Sequence, residues 1–405
     1  MTAVSDDSKT SVRLGRLTAA LCLVVAIGPL TTDLYLPALP SLAGDLHAGA
    51  SAVQLTLTGM LAGLTVGQLL LGPLSDRVGR RRVLLAGLSV HVLASLLCAV
   101  APDVVVLDVL RVIQGGGSAA AAVVGLAVVG DVFAGAQAAT VMSRLALVLG
   151  VAPVLAPALG GLAVAWTSWR GVFVLLAVVG LVILGVAAWA LPETLPASHR
   201  RATSPATFRG VLSDPRFRRH AVVAALAAVA MFAYVSGAPF LFQRTWSLSE
   251  QQSGLLFGAG AIALVVAAQV NVWLLRRFPP AYILIAATAI GTVAGGILLA
   301  GVVPALWLVL FAIGLIMPNA QALAMSGQGP AAGTAAAVLG AVTFGAGALV
   351  APLVGAWGSP AVAIGAAITA SLGAATVVLL TRRRGETRPV RDRGTFSNWT
   401  TSRRP

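Results

Sequence analysis

The sequence predicts an all-α membrane protein of twelve transmembrane helices in two six-helix halves. Composition is the first reason. Its 405 residues are 58% hydrophobic and 10% charged, with a mean hydropathy of +0.93, whereas a soluble domain carries about 25% charged residues. Apolar runs of span length, roughly 17–25 residues, recur from end to end, and the 44 glycines and 21 prolines fall largely inside them, where membrane helices tolerate both. The third reason is an arginine-bearing polar segment, 192–219, that leaves six runs on either side.

Taken in order, the spans are expected near 17–39, 51–72, 83–101, 104–129, 140–164, 170–191, 220–242, 253–275, 281–301, 305–326, 335–355 and 360–380. The breaks carry charge or turn chemistry, as at Ala101-Pro102-Asp103, Pro279-Pro280 and Gly358-Ser359-Pro360. Arg13 and Arg16 ahead of 17–32 imitate a secretory leader, but many similar runs follow and Asp33 interrupts the segment late, so it reads as a retained span. The domain plan is an N-terminus at 1–16, a first half at 17–191, a linker at 192–219, a second half at 220–380 and an Arg-rich tail at 381–405.

The net charge of +14 does not point to nucleic acid. Arginines gather in short segments between apolar runs, as the positive-inside rule requires, rather than on a soluble face with interleaved aromatics. Lys9, Arg13, Arg16, Arg77, Arg80, Arg81, Arg82, the linker arginines, Arg276, Arg277 and the tail fall on one side; Arg170 and Arg244 fall on the other. Both termini are therefore expected in the cytoplasm, and the tail against anionic lipid. Cys22 and Cys98 sit singly in apolar runs, the four histidines are scattered, and no metal spacing exists.

Two echoes suggest duplication. Ala156-Pro157-Ala158-Leu159-Gly160 is matched by Ala351-Pro352-Leu353-Val354-Gly355, offset by 195 residues, and the segment at Asp33–Pro37 sits opposite Val235–Pro239, offset by 202. Repeats of this kind build transporters with a substrate site between the halves, near mid-membrane.

Candidate chemistry concentrates in the first half. Asp33 is a carboxylate inside an apolar span, a functional signal in itself; it lies about 25 Å along the helix from Arg16. Arg111 has a similar depth in span 4, where Asp108, Arg111, Gln114, Gly115 and Ser118 share one helical face. Arg111 is expected to pair with Asp33 or to tune it through the cavity field, and Asp108 is a second proton candidate. Gly72, Asp76, Arg77, Gly79 and Arg80, in the turn between spans 2 and 3, form a candidate conformational gate. Gly59, Gly63 and Gly67 allow close helix approach and are expected at a moving interface. Gly150, Pro153, Pro157, Gly160 and Gly161 mark span 5 as a bending helix. Tyr35, Phe232, Tyr234 and Phe240 are candidate walls of a cavity for lipophilic substrates. No ionisable residue lies deep in spans 7–12. Gly115-Gly116-Gly117 lacks the setting of a nucleotide loop, and no ATP signature occurs.

These residues resemble the major facilitator superfamily. The Gly72–Arg82 run is similar to its signature between helices 2 and 3, Leu107–Gly115 to the helix 4 motif of proton-coupled members, and Gly150–Gly161 to the helix 5 antiporter motif. Ala156-Pro157, Asp33–Pro40, Ser168–Phe173, Ser236–Phe240 and Pro318-Asn319-Ala320 resemble the Bcr/CflA group of drug-resistance exporters. The resemblance implies the major facilitator fold and export of drugs or small metabolites in exchange for protons, with no cofactor beyond the proton gradient. Asp33 and Arg111 then hold the coupling positions, in a monomer of the inner (plasma) membrane. Export or uptake of an ordinary metabolite is the rival within the class. A membrane sensor or scaffold is the rival outside it, and an enzyme is not indicated.

Overall fold

The structure, a computed structural model, describes residues 3–133, 135–199, 205–302, 304–328, 331–356 and 360–381, without the side chains of 3–13 and of a few positions between 135 and 206. The expected tail beyond Thr381, and Arg200 and Arg201 of the expected linker, lie outside the described residues.

Among the described residues, twelve long helices carry the chain. Those of the first half are α1 (Ala3–Asp33), α3 (Ala50–Val78), α4 (Arg80–Ala99), α5 (Val104–Val132), α6 (Gly135–Trp166) and α7 (Trp169–Ala190). A short helix, α2 (Leu39–Asp45), follows α1, and α8 (Pro205–Ser213) lies in the linker. The second half holds α9 (Pro215–Phe240), α10 (Glu250–Leu274), α11 (Pro280–Leu299), α12 (Ala305–Met325), α13 (Ala332–Ala356) and α14 (Pro360–Leu380). Eleven have the length and apolarity to cross a bilayer. The twelfth, α6, runs 32 residues without a break. The chain is a multi-pass membrane protein.

Local chemistry sets the helix starts. Asp103 accepts from the Val106 amide at 2.9 Å and caps α5, Asp214 caps α9 through Arg216, and Ser249 with Gln252 forms a reciprocal capping box on α10. Gly79 turns α3 into α4 at φ 111° and ψ 150°, a backbone region open essentially to glycine alone.

The packing repeats pair for pair. In the first half α1 packs on α5, α6 and α7, α5 on α3 and α4, and α4 on α7. In the second half α9 packs on α12, α13 and α14, α12 on α10 and α11, and α11 on α14. Shifting each helix by six spans turns one set into the other. Two seams join the halves, α3 with α13 and α6 with α10, and the same shift exchanges them. The twelve helices are therefore two copies of one six-helix unit related by a pseudo-two-fold axis.

Glycines bring α3, α4 and α5 into backbone contact. A Cβ at Gly63 would overlap the Val112 carbonyl, one at Gly115 the Met60 carbonyl, and one at Gly117 would lie 2.7 Å from the Gly87 oxygen. The triple glycine of α5 is thus a two-sided notch that wedges this helix between α3 and α4. Gly59, Gly63 and Gly67 all face α5, inside one half. The expectation that they line a moving interface is corrected: the face of α3 that meets the other half is the polar one.

Candidate functional site

Two ends of the bundle orient the site. The linker end carries the α3–α4 turn and the segment between α7 and α9; the distal end carries α2 and the connection from α9 to α10.

Asp33 closes α1 on the distal side and is buried. It faces a small apolar pocket lined by Met231, Tyr234, Val235, Phe257, Ala261 and Leu264, all from the second half. The Tyr234 and Phe257 rings meet at a tilt of 31° with centroids 4.8 Å apart. So the first half supplies the charge and the second the apolar wall. Of the expected wall residues only Tyr234 lines this pocket. Phe232 packs on Phe344 at 6.2 Å, and Phe240 sits 5.0 Å from the exposed Arg244. Both point to other faces of α9, because successive helical residues point about 100° apart.

Arg111 makes no ion pair with Asp33. The expected direct pair is corrected, and the reason is the supply of nearer acceptors. Arg111 donates to the Thr31 carbonyl at 3.2 Å, to the Thr56 carbonyl at 3.3 Å and to Gln114 Oε1 at 2.6 Å. Its guanidinium stands 4.2 Å from the centre of the Tyr35 ring and 5.6 Å from that of Phe173. Tyr35 in turn bonds Thr56 at 3.1 Å. Tyr35 thus belongs to the arginine's cage and not to the pocket wall. The cage is wholly buried and ties α1, α3, α5 and α7 together around one cation. Asp108 is half-buried one turn along α5, with Oδ1 lacking a partner among the described residues.

Gln114 and Ser118 continue inward from Arg111. Gln114 Nε2 donates to Ser95 Oγ at 2.7 Å, and Ser118 lies 3.0 Å from His91 Nδ1. His91 and Ser95 are fully buried, and sequence reading missed both. Their one signal was position: they fall four residues apart on a single face of span 3.

The candidate gate at the linker end is a charge cluster. Arg80 pairs with Asp76 at 2.6 Å and with Asp131 at 3.1 Å, bonds Ser75, and donates its amide to Glu193. Arg81 caps the end of α7 through the Ala188 and Leu191 carbonyls. Arg77 is exposed, and Gly72 meets little beyond Val123. The cluster ties α3, α4, α5 and the end of α7 within the first half. Asp131 and Glu193, far off in sequence, were not foreseen.

Of the expected hinge residues, Pro157 and Gly161 serve the α6–α10 seam, while Gly160 meets Leu34, just past α1, within the first half. A Cβ at Gly160 would overlap the Leu34 carbonyl, one at Gly161 would lie 2.9 Å from the Glu250 oxygen, and Gly254 rests on Pro157. The surroundings of Gly150 and Pro153 lie outside the described residues.

The other seam is polar. Along α3, Ser51, Gln54, Thr58, Thr65 and Gln68 face α13. Ser51 donates to the Pro352 carbonyl at 3.1 Å, Gln54 to the Ser236 carbonyl of α9 at 2.8 Å, and Thr58 to the Ala348 carbonyl at 2.8 Å. Gln243 adds a bond to Pro37 at 2.7 Å. All four bonds lie toward the distal end and hold it shut. Proline explains one of them. Pro352 has no N–H, so the Ala348 carbonyl four residues back loses its helical donor and Thr58 replaces it. Thr58→Val should weaken distal closure by about 0.6–1.7 kcal/mol. Adding Pro352→Ala should recover it by restoring the helical N–H. Spin-label distances between the distal ends of α3 and α13 measure both.

Comparisons with known proteins agree with this architecture. Residues 21–352 match the profile described as Major Facilitator Superfamily. An uncharacterized MFS-type transporter of Bacillus subtilis, YdgK, is 35% identical, over 82% of this chain and 87% of that one. A bicyclomycin resistance protein homolog of Haemophilus influenzae is 29% identical, over 80% and 85%. A chloramphenicol resistance protein of Pseudomonas aeruginosa is 35% identical, over 60% and 58%. Among solved structures, a bacterial homolog of the human lysosomal transporter Spinster superposes with a TM-score of 0.68 at 16% identity, over 91% of this chain and 95% of that one. The human organic anion transporter MFSD10 superposes at 0.63 and 18%, over 90% and 99%.

Proposed function

This chain belongs to the major facilitator superfamily, and from that premise we propose that it is a secondary transporter that exports drugs or small lipophilic compounds in exchange for protons. The observation that carries the reading is the placement of Asp33. It is a buried carboxylate without an ion-pair partner among the described residues, and it faces an aromatic pocket built by the other half. An unpaired charge there is costly, and a proton or a bound cation removes the cost. A lipophilic molecule seated on Tyr234 and Phe257 would touch both halves and the proton site at once, so loading one changes the other. Relatives named for chloramphenicol and bicyclomycin resistance support drugs as the cargo.

The mechanism is alternating access. The linker end faces the cytoplasm, because the arginines concentrate there, and both termini then lie inside. In the proposed cycle, Asp33 opens to the cytoplasmic side while the distal seams stay shut. Parting the Ser51, Gln54 and Thr58 bonds exposes Asp33 and its pocket to the outside, where a proton is taken up and the drug released. Asp108, one turn from Arg111, is a second proton-carrying group. The proposed mechanism draws on the proton gradient without a cofactor, and it has the protein act as a monomer in the plasma membrane.

The test uses everted membrane vesicles with an imposed pH gradient. Chloramphenicol and bicyclomycin should each discharge the gradient in vesicles holding the protein and not in vesicles without it. Discharge by amino acids or sugars, with no response to either drug, would move the assignment to metabolite transport.

A further inference from the structure

The pseudo-two-fold axis gives the arginine cage a counterpart in the second half. A Cβ at Gly115 of α5 would overlap the Met60 carbonyl of α3, and one at Gly314 of α12 would lie 2.9 Å from the Leu264 carbonyl of α10. Gly314 is therefore the counterpart of Gly115, and Leu264 that of Met60. One turn back along each helix, Leu310 stands in the place of Arg111 and Gly260 in the place of Thr56.

Each half sets a tyrosine against this pair. In the first half the Tyr35 hydroxyl bonds Thr56 at 3.1 Å, and its ring centre stands 4.2 Å from the Arg111 guanidinium. In the second half the Tyr234 hydroxyl rests on Gly260. A Cβ at 260 would lie 2.7 Å from the hydroxyl oxygen and 2.9 Å from Leu310 Cδ1. The missing side chain lets Tyr234 lie against the backbone of α10. That position matters, because Phe257, Ala261 and Leu264, around Gly260 on α10, line the Asp33 pocket together with Tyr234. Phe257 covers the ring on one side, and Leu310 of α12 stands at its hydroxyl end. A ring pushed off Gly260 therefore has the pocket as its open side.

We propose that Gly260 is a specificity-determining residue: by leaving room for the Tyr234 hydroxyl at the surface of α10, it keeps the ring out of the space beside Asp33 and so sets the girth of lipophilic cargo that the pocket admits. This deepens the function proposed above and rests on it. A methyl group at 260 is overpacked against the hydroxyl, and the ring yields into the pocket. The pocket then takes a slim molecule and turns away a bulky one. The pressure comes from one oxygen atom. The ring carbon that bears it would lie 3.6 Å from the new Cβ, an ordinary contact, so Tyr234→Phe relieves the crowding and returns the space. A glycine needed only for helix packing predicts neither a dependence on cargo size nor a rescue by loss of a hydroxyl.

Two measurements test it. The first reads the space without transport. A hydrophobic carbodiimide forms an adduct with a protonated carboxyl in apolar surroundings, and diisopropylcarbodiimide and dicyclohexylcarbodiimide serve as a slim and a bulky gauge. In full-length protein held in lipid nanodiscs, mass spectrometry of the peptide that contains Asp33 follows the adduct. Wild type should react with both reagents. Gly260→Ala should slow the dicyclohexyl adduct about tenfold and the diisopropyl adduct by about threefold at most. Adding Tyr234→Phe should restore the dicyclohexyl rate. Tyr234→Ala, which keeps Gly260 and has no ring to press inward, should speed the dicyclohexyl reagent. Wild-type rates in folded Gly260→Ala, equal slowing of both reagents, no rescue, unchanged rates in Tyr234→Ala, or wild-type protein closed to the bulky reagent would each overturn the proposal. The second measurement is chloramphenicol transport. Gly260→Ala should raise KM about tenfold with little change in the maximal rate, and adding Tyr234→Phe should bring KM back down. An unchanged KM in Gly260→Ala would overturn the specificity role. Wild-type protein inert to chloramphenicol would instead count against the proposed function and leave the carbodiimide result standing.

Discussion

Asp33→Asn should abolish drug efflux driven by a pH gradient, by on the order of 10²-fold or more, while leaving a folded protein in the membrane. The side chain keeps its size and loses only the ability to take up and release a proton. No ion pair among the described residues depends on it, so little else should break. Its neighbours Tyr234, Phe257 and Leu264 are apolar or aromatic and tolerate a neutral amide better than an unpaired charge. Exchange of labelled drug for unlabelled drug, which needs no net proton movement, should survive. Parallel assays in reconstituted vesicles decide the matter: full gradient-driven efflux by this variant would take Asp33 out of the coupling scheme. Asp33→Glu, which restores the carboxyl, should recover part of the efflux.

Gly63→Leu should remove the protein from the membrane. The first half is built on backbone contact between α3 and α5, and a Cβ at position 63 would overlap the Val112 carbonyl. Backbone inside a packed half cannot rotate away as a flexible side chain can. Overpacking already costs about 1–3 kcal/mol where side chains can yield, and here Gly115 and Gly117 on the same α5 also meet the backbone of α3 and α4. The expected result is loss of the monodisperse peak in detergent. Gly185→Leu is the control: Gly185 is exposed on α7 with nothing within 4 Å of its would-be Cβ, and it should behave as wild type. Normal yield and thermal stability of Gly63→Leu would mean that α3 and α5 are not in backbone contact.

Spans, pseudo-repeat and motifs were legible in the sequence because each is written in local composition. A bilayer demands long apolar runs, and a duplicated unit leaves echoes such as Ala156-Pro157 and Ala351-Pro352. A lone carboxylate in such a run stands out without any structure, and so did Asp33. Partnership was not legible in the same way. Ala/Gly-rich helices present several similar faces, and only packing says which face meets which neighbour. That is why Gly59, Gly63 and Gly67 fell on α5, while the plain-looking Ser51, Gln54 and Thr58 fell on the other half.

By itself, the sequence determined that the chain crosses a membrane about twelve times, in two related halves, with its charged chemistry in the first. Apolar length, charge placement and helical periodicity suffice for that, since each acts within one helix or one loop. The tertiary structure alone decided that Arg111 is caged by the carbonyls of Thr31 and Thr56 and not paired with Asp33, and that Asp33 faces Tyr234. It also drew Ser95 into the arginine's network and set His91 beside Ser118. Those outcomes turn on hydrogen bonds between helices, whose reach is about 3 Å and whose partners can lie anywhere in the chain.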